Sequence, residues 1–142
     1  MKIFNILILI SIIPLVGVML LILIPGRYNS YCFNAALFIS SLTFILSLIM
    51  WLIFDSGHNS FQFLCTIDWL PAFNFYYTVG VDGISLFFLI LTTFLIMVCV
   101  LISWGSINYR LKEYLINFLL LEFLLIQVFS VLDLLLFYVF FE

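Results

Sequence analysis

Three glutamates, Glu142, Glu122 and Glu113, are the residues of this 142-residue chain whose surroundings give them chemistry. Glu142 closes the run Asp133-Leu134-Leu135-Leu136-Phe137-Tyr138-Val139-Phe140-Phe141-Glu142, one of the most apolar stretches of the sequence. An acid in lipid loses its hydration and persists only with a partner, a water-filled path or a bound proton, so it is a functional-site hypothesis in its own right. The chemistry such a group can perform is the holding and release of a proton or ion. The plainer alternative is a hydrogen bond to a neighbour, and Tyr138, four residues earlier on the same helical face, is a local partner of that kind.

Glu122 sits inside a second apolar stretch. At about 100° per residue, Ser130 and Gln127 fall about 80° and 140° from it, a polar flank that must face protein or water and not lipid. A relay role and an interhelical bonding role both fit. Glu113 lies beside Arg110 and Lys112 at a boundary where charge costs little; snorkelling and orientation account for all three, with proton entry as the alternative role for Glu113. Asp133 and Asp82 are each placed to cap a following helix. Thr92 and Thr93 can bond back to their own helix.

The elements that must position these groups are membrane spans. The chain is 68% hydrophobic and only 8% charged, against roughly 25% charged in soluble domains, and its mean hydropathy is +1.42. It is therefore expected to be an all-α polytopic membrane protein. With 4 basic and 7 acidic residues, the net charge of -3 gives no footing for nucleic-acid binding. Cys32, Cys65 and Cys99 lack the close spacing of a metal or redox motif, and the single His58 does not complete one. There is no phosphate-binding glycine loop, no cysteine framework for an iron–sulfur cluster and no histidine pair for haem, so redox chemistry is expected elsewhere. Eighteen Phe among abundant Ile, Leu and Asn point to an AT-rich genome of the kind organelles carry.

A hydrocarbon core about 30 Å thick needs about 20 apolar residues per helix. Residues 3–24, 34–54 and 84–104 meet that length, and 114–130 forms a fourth span. The first could be read as a signal peptide, but its apolar run is too long and no small-residue cleavage site follows, so a permanent span is expected, kinked near Pro14 and Gly17. The break before a fifth helix at 134–142 falls at Ser130-Val131-Leu132-Asp133, where Ser and Asp compete with helical backbone bonds. At about 1.5 Å per residue, Glu142 lies about 13.5 Å beyond Asp133, near the membrane midplane. Carbonyls left open there would be unsatisfied in lipid, so the expectation is a helix continuing past Glu142, in a longer polypeptide or a second chain.

Arg27 after the first span, and Arg110 with Lys112 after the third, share one side by this count. Lys2 and the long connection from Asp55 to Asp82, which holds no Lys or Arg, occupy the other. The positive-inside rule then puts the N terminus and the long loop outside. In that loop, the alternating run from Phe61 to Trp69, a turn at Pro71 to Asn74 and a β-prone run from Phe75 to Val81 predict a hairpin on the outer surface, with Trp69, Tyr76 and Tyr77 at headgroup level. An irregular interfacial loop is the alternative. No internal repeat is visible.

Two long motifs carry a family resemblance. Val79-Gly80-Val81-Asp82-Gly83-Ile84-Ser85-Leu86-Phe87-Phe88-Leu89-Ile90-Leu91-Thr92-Thr93-Phe94-Leu95 resembles the third-helix signature of the antiporter-like membrane subunits of respiratory complex I, of the mitochondrial subunit 4 type, and the run from Leu132 to Glu142 resembles their fifth helix. Lys112-Glu113-Tyr114 matches the opening of the fourth. The resemblance is loose before Trp51 and close after it. It implies the N-terminal four helices and the first half of a fifth of an antiporter-like fold with inverted repeats, in a proton-translocating subunit of the mitochondrial inner membrane with its N terminus on the intermembrane-space side.

The resemblance further implies that Glu142 pairs with a lysine on a later helix, outside these residues, and that protonation of the pair is coupled to quinone reduction. No cofactor is implied in this chain; NADH, FMN, iron–sulfur clusters and ubiquinone would belong to other subunits. The implied partners are the remainder of the same subunit, other membrane-arm subunits of the complex and the lipid bilayer, with no nucleic acid. The competing readings are a passive membrane anchor or assembly subunit, and a sodium/proton antiporter subunit of the same fold.

Overall fold

A computed structural model of the chain describes residues 6–54, 56–57, 60, 62–73, 75–107 and 109–142, apart from the side chains of residues 62, 63, 65, 67–71 and 75. Lys2, Asp55, His58, Phe61 and Asn74, with the side chains of Cys65 and Trp69, which entered the reading above, lie outside the described residues. The elements run α1 (Ile6–Leu23), α2 (Asn29–Ile53), β1 (Gln62–Leu70), a short 3-10 turn (Pro71–Phe73), β2 (Phe75–Val81), α3 (Gly83–Ser106), α4 (Leu111–Ser130) and α5 (Leu134–Phe141). The first four helices are each long and apolar enough to cross a membrane.

Two helices begin earlier than their apolar runs predict. α2 opens at Asn29, not Asn34, and α4 at Leu111, not Tyr114. The reason is the same in both: counting apolar residues finds the part of a helix that lies in hydrocarbon, whereas the first turn can lie in the headgroup region and carry polar side chains. Asn29, Ser30 and Tyr31 are all exposed, and Cys32 is the first buried residue of α2. α3 starts where Asp82, in extended conformation, accepts a hydrogen bond from the Ser85 N–H at 2.8 Å, which satisfies one of the four open donors of a helix start. It ends in a bend at Trp104 (ψ 120) and Gly105 (φ +83); the second value lies in the left-handed region that glycine enters without a Cβ penalty. Asp133 caps α5 through the Leu135 N–H at 3.1 Å.

α1 lies against α2 and α4, α2 also against α3 and α4, and α5 against α4. Helix assignment continues through Pro14. Gly17 has a packing reason: a Cβ there would come within 2.8 Å of Ile39 Cγ2 and 3.2 Å of Leu119 Cδ1. In lipid, where tails are as apolar as Leu, helices associate through such close packing and through hydrogen bonds. The outer surface is lined with exposed Leu, Ile and Phe, among them Phe38, Leu52 and Ile84, an apolar surface suited to lipid or to further apolar helices.

The interior is layered. One apolar cluster includes Val18, Leu21, Phe33, Ile39, Ile96, Val100, Leu115 and Leu119. The other includes Leu7, Ile10, Met50, Val79, Val81, Leu86, Leu89 and Ile126. On each of α1 to α4, the buried polar residues between these levels fall together: Ser11 on α1, Ser40, Thr43 and Ser47 on α2, Thr92 and Thr93 on α3, and Glu122 on α4. The bundle thus holds a polar storey between two apolar ones.

β1 and β2 form an antiparallel two-stranded sheet, with Thr66 opposite Thr78 and Ile67 opposite Tyr77, and with irregularities between Gln62 and Cys65 and between Asp68 and Leu70. Beyond β2, the joint between α4 and α5 takes a further place: Val79 pairs with Val131, and the Leu132 N–H donates to the Thr78 carbonyl at 3.0 Å. Successive side chains on a strand point to opposite faces, so Tyr76 and Tyr77 separate. Tyr76 is exposed, in keeping with a headgroup position, but Tyr77 points into the bundle and its hydroxyl donates to Gln127 Oε1. The expected headgroup position of Tyr77 is corrected accordingly.

Candidate proton-handling site

Glu122 is fully buried (0% exposed) at the twelfth of the 20 positions of α4, about halfway along the helix. Its Oε1 lies 2.6 Å from the Thr43 hydroxyl on α2. Its Oε2 is buried and has no hydrogen-bond partner. One level away, the Ser47 and Thr93 hydroxyls meet at 3.0 Å and join α2 to α3. Each hydroxyl also reaches back into its own helix, Thr43 to the Ser40 carbonyl at 2.8 Å, Ser47 to that of Phe44 at 2.6 Å and Thr93 to that of Ile90 at 2.8 Å. The expected back-bonding of Thr92, to Phe88, and of Thr93 is present; the contact from Thr93 to Ser47 adds a bond between helices.

The flank expected on α4 is present as buried Glu122, Gln127 and Ser130. Ser130 bonds back to Ile126 at 2.8 Å, while Gln127 receives the Tyr77 hydroxyl. Glu113 is at the surface, 3.7 Å from Arg110 with both side chains largely exposed, an arrangement of small energetic weight. Lys112 donates to the Ile22 carbonyl at 3.1 Å, tying the start of α4 to an open carbonyl near the end of α1. Glu142 is exposed, and its backbone N–H donates to the Tyr138 carbonyl at 3.0 Å. No hydrogen bond or ion pair among the described residues joins Glu142 or Glu113 to Glu122. Near the hairpin, hydrogen bonds from Ser85 hold the Asp82 carboxyl below the usual aspartate range. Cys32 and Cys99 are free thiols.

Thr43 and Ser47 were not singled out by sequence reasoning. A signal for them exists: at about 100° per residue, Ser40, Thr43 and Ser47 fall within about 60° of one another on an otherwise apolar helix, a stripe of small hydroxyls that lipid would not retain.

No family model matches the chain. A curated relative does: NADH-ubiquinone oxidoreductase chain 4 of Chondrus crispus is 61% identical over 142 residues, which is 100% of this chain and 29% of that protein. Over its whole length the chain is similar to one stretch of the NADH-ubiquinone oxidoreductase chain 4 proteins. Chain 4 of Arabidopsis thaliana is 49% identical over 91% of the present chain and 26% of its own length. The NADH-quinone oxidoreductase subunit M of Rickettsia typhi is 38% identical over 92% and 28%. The chain spans between a quarter and a third of the length of these relatives. Among solved structures, respiratory complex I from Thermus thermophilus with bound NADH contains a chain of similar fold, with a TM-score of 0.74 at 26% identity over 96% of this chain and 26% of that one. The antiporter-like helical fold expected from the sequence, on a multi-pass membrane chain, is the fold observed.

Proposed function

We propose that the chain contributes the N-terminal helices of a proton-translocating membrane subunit of respiratory complex I, in which electron transfer from NADH to ubiquinone drives proton movement. The observation that carries this reading is the fully buried Glu122, set among hydroxyls in the middle storey of a lipid-spanning bundle. A bare structural helix gains little from an acid in that position, whereas a proton carrier needs one. The identity to the chain 4 relatives supports the same reading.

Glu142 is the principal proton-handling carboxylate in this proposal, with Glu122 as an inner relay and Glu113 as an entry group. The electron-transfer chemistry, with NADH, FMN, iron–sulfur clusters and ubiquinone, belongs to other subunits, and the remainder of the same subunit supplies the cation that pairs with Glu142. The membrane is the mitochondrial inner membrane, with the N terminus and the hairpin on the intermembrane-space side. The bond from Lys112 to Ile22 sets the end of α1, which Arg27 follows, beside the start of α4, so Arg27, Arg110 and Lys112 share one side, as the positive-inside count behind that orientation requires.

The test is Glu142→Gln in the assembled complex. NADH-driven proton translocation should be lost or strongly reduced while the complex still assembles. Unchanged pumping would rule out the relay. A second reading, in which the acids only join helices, has the Glu122–Thr43 bond in its favour; it requires that neither Glu142→Gln nor Glu122→Gln alter pumping in assembled complex.

A further inference from the structure

We propose that Thr43 is a positioning residue for the buried acid, a hydroxyl whose single proton turns between the Ser40 carbonyl and Glu122 Oε1 according to whether Glu122 carries a proton. This rests on the reading of Glu122 as a relay group. A threonine hydroxyl has one proton to donate and two lone pairs to accept with. Thr43 Oγ1 nevertheless lies at bonding distance from two oxygens, 2.8 Å from Ser40 O and 2.6 Å from Glu122 Oε1. A carbonyl oxygen has no proton to give. One proton shared between the two oxygens would give two bent, weaker contacts; two full hydrogen bonds form at once in one way, with Glu122 as the protonated acid donating to Thr43 and Thr43 donating to Ser40.

When Glu122 is a carboxylate, the hydroxyl must turn. Its proton then points at Oε1, and the Ser40 carbonyl loses the contact. The surroundings sharpen the difference. Among the described residues, the buried polar side chains are Ser, Thr and Gln apart from Glu122 itself, so no buried cation balances a carboxylate there. Oε2 has no donor, and Ser47 and Thr93, the next hydroxyls, are engaged with each other and with their own helices. Thr43 is thus the donor that meets the negative charge when it forms. The cycle balances simply: a proton delivered by water forms the O–H bond of Glu122, Thr43 rotates toward Ser40, and loss of that proton to water reverses both changes.

The experiment is infrared difference spectroscopy on the assembled, turning-over complex, with proton translocation measured in parallel. Glu122→Gln should remove one carboxylic-acid C=O band that shifts in deuterated water, which assigns it. Thr43→Val should move that band to higher frequency and lower the ratio of protons moved to electrons transferred, and Thr43→Ser should restore both. Thr43→Cys, with its weaker S–H donor, should move the band in the same direction and serves if Thr43→Val does not assemble. A Glu122 band unmoved by removal of the hydroxyl, or no band lost in Glu122→Gln, overturns the proposal. Intact pumping in Glu142→Gln defeats the wider functional reading instead, whatever the band does.

Discussion

At the scale of single residues, the bundle separates acids that serve the backbone from the acid that has no backbone duty. Asp82 and Asp133 close helix starts, and Glu113 pairs with Arg110 at the surface. Replacing Asp82 by Ala should destabilise the chain by about 1 kcal/mol, the ordinary worth of an N-cap. The pH dependence follows from the sign of its shift. The folded carboxyl titrates below its ordinary value of 3.8, so its contribution is present above that value and disappears as pH falls through the lower folded one. Thermal unfolding in detergent, wild type against Asp82→Ala, should therefore differ at neutral pH and converge in strong acid. Tyr77→Phe leaves the buried Gln127 carbonyl without its donor and should cost about 1–3 kcal/mol, measurable in the same assay. Asp82 and Asp133 were legible as caps because a capping acid needs only its own chain. Thr43 and Tyr77 were not, because what makes each matter is a partner 79 or 50 residues away.

At the scale of elements, the helices that sequence located best were those with long apolar runs. Their ends were located less well, since the first turns at Asn29-Ser30 and at Leu111-Lys112-Glu113 carry polar residues in sequence that apolar counting passes over. The hairpin was legible through the alternation before Pro71 and the β-prone run after it. Its third pairing, to Val131 and Leu132, was not, because nothing in an apolar stretch marks one backbone carbonyl as the acceptor for another segment. Gly17 offers a test of helix packing. Gly17→Leu must push α1 away from Ile39 and Leu119, and overpacking of this kind costs about 1–3 kcal/mol. A fall in midpoint temperature, larger for Leu than for Ala, is the expected result; equal stability of all three would mean that α1 does not sit closely on α2 and α4.

At the scale of the whole molecule, the main finding is vertical order. Apolar clusters at two levels enclose a layer of hydroxyls and one carboxylate. Glu122→Leu converts that layer to a continuous apolar core. Leu avoids the desolvation cost of a buried acid whose Oε2 has no partner, and Thr43 keeps its bond to Ser40, so this variant should keep or raise the thermal midpoint while lowering proton translocation in the assembled complex. Loss of both would mark Glu122 as a structural bond to Thr43 and nothing more. A sequence alone does not disclose such layering, because Ser11, Ser40, Thr93 and Glu122 become one level only when four helices are set side by side.

The middle storey also has an electrical consequence. Moving one charge across the full membrane is worth about 2.3 kcal/mol per 100 mV. A proton that reaches Glu122 has crossed roughly half the dielectric, so about half of that energy, near 1.2 kcal/mol per 100 mV, enters its occupancy. In the proposed function the site is then a voltmeter as well as a carrier: each 100 mV across the membrane biases its filling by about a factor of seven, before any part of the protein has moved.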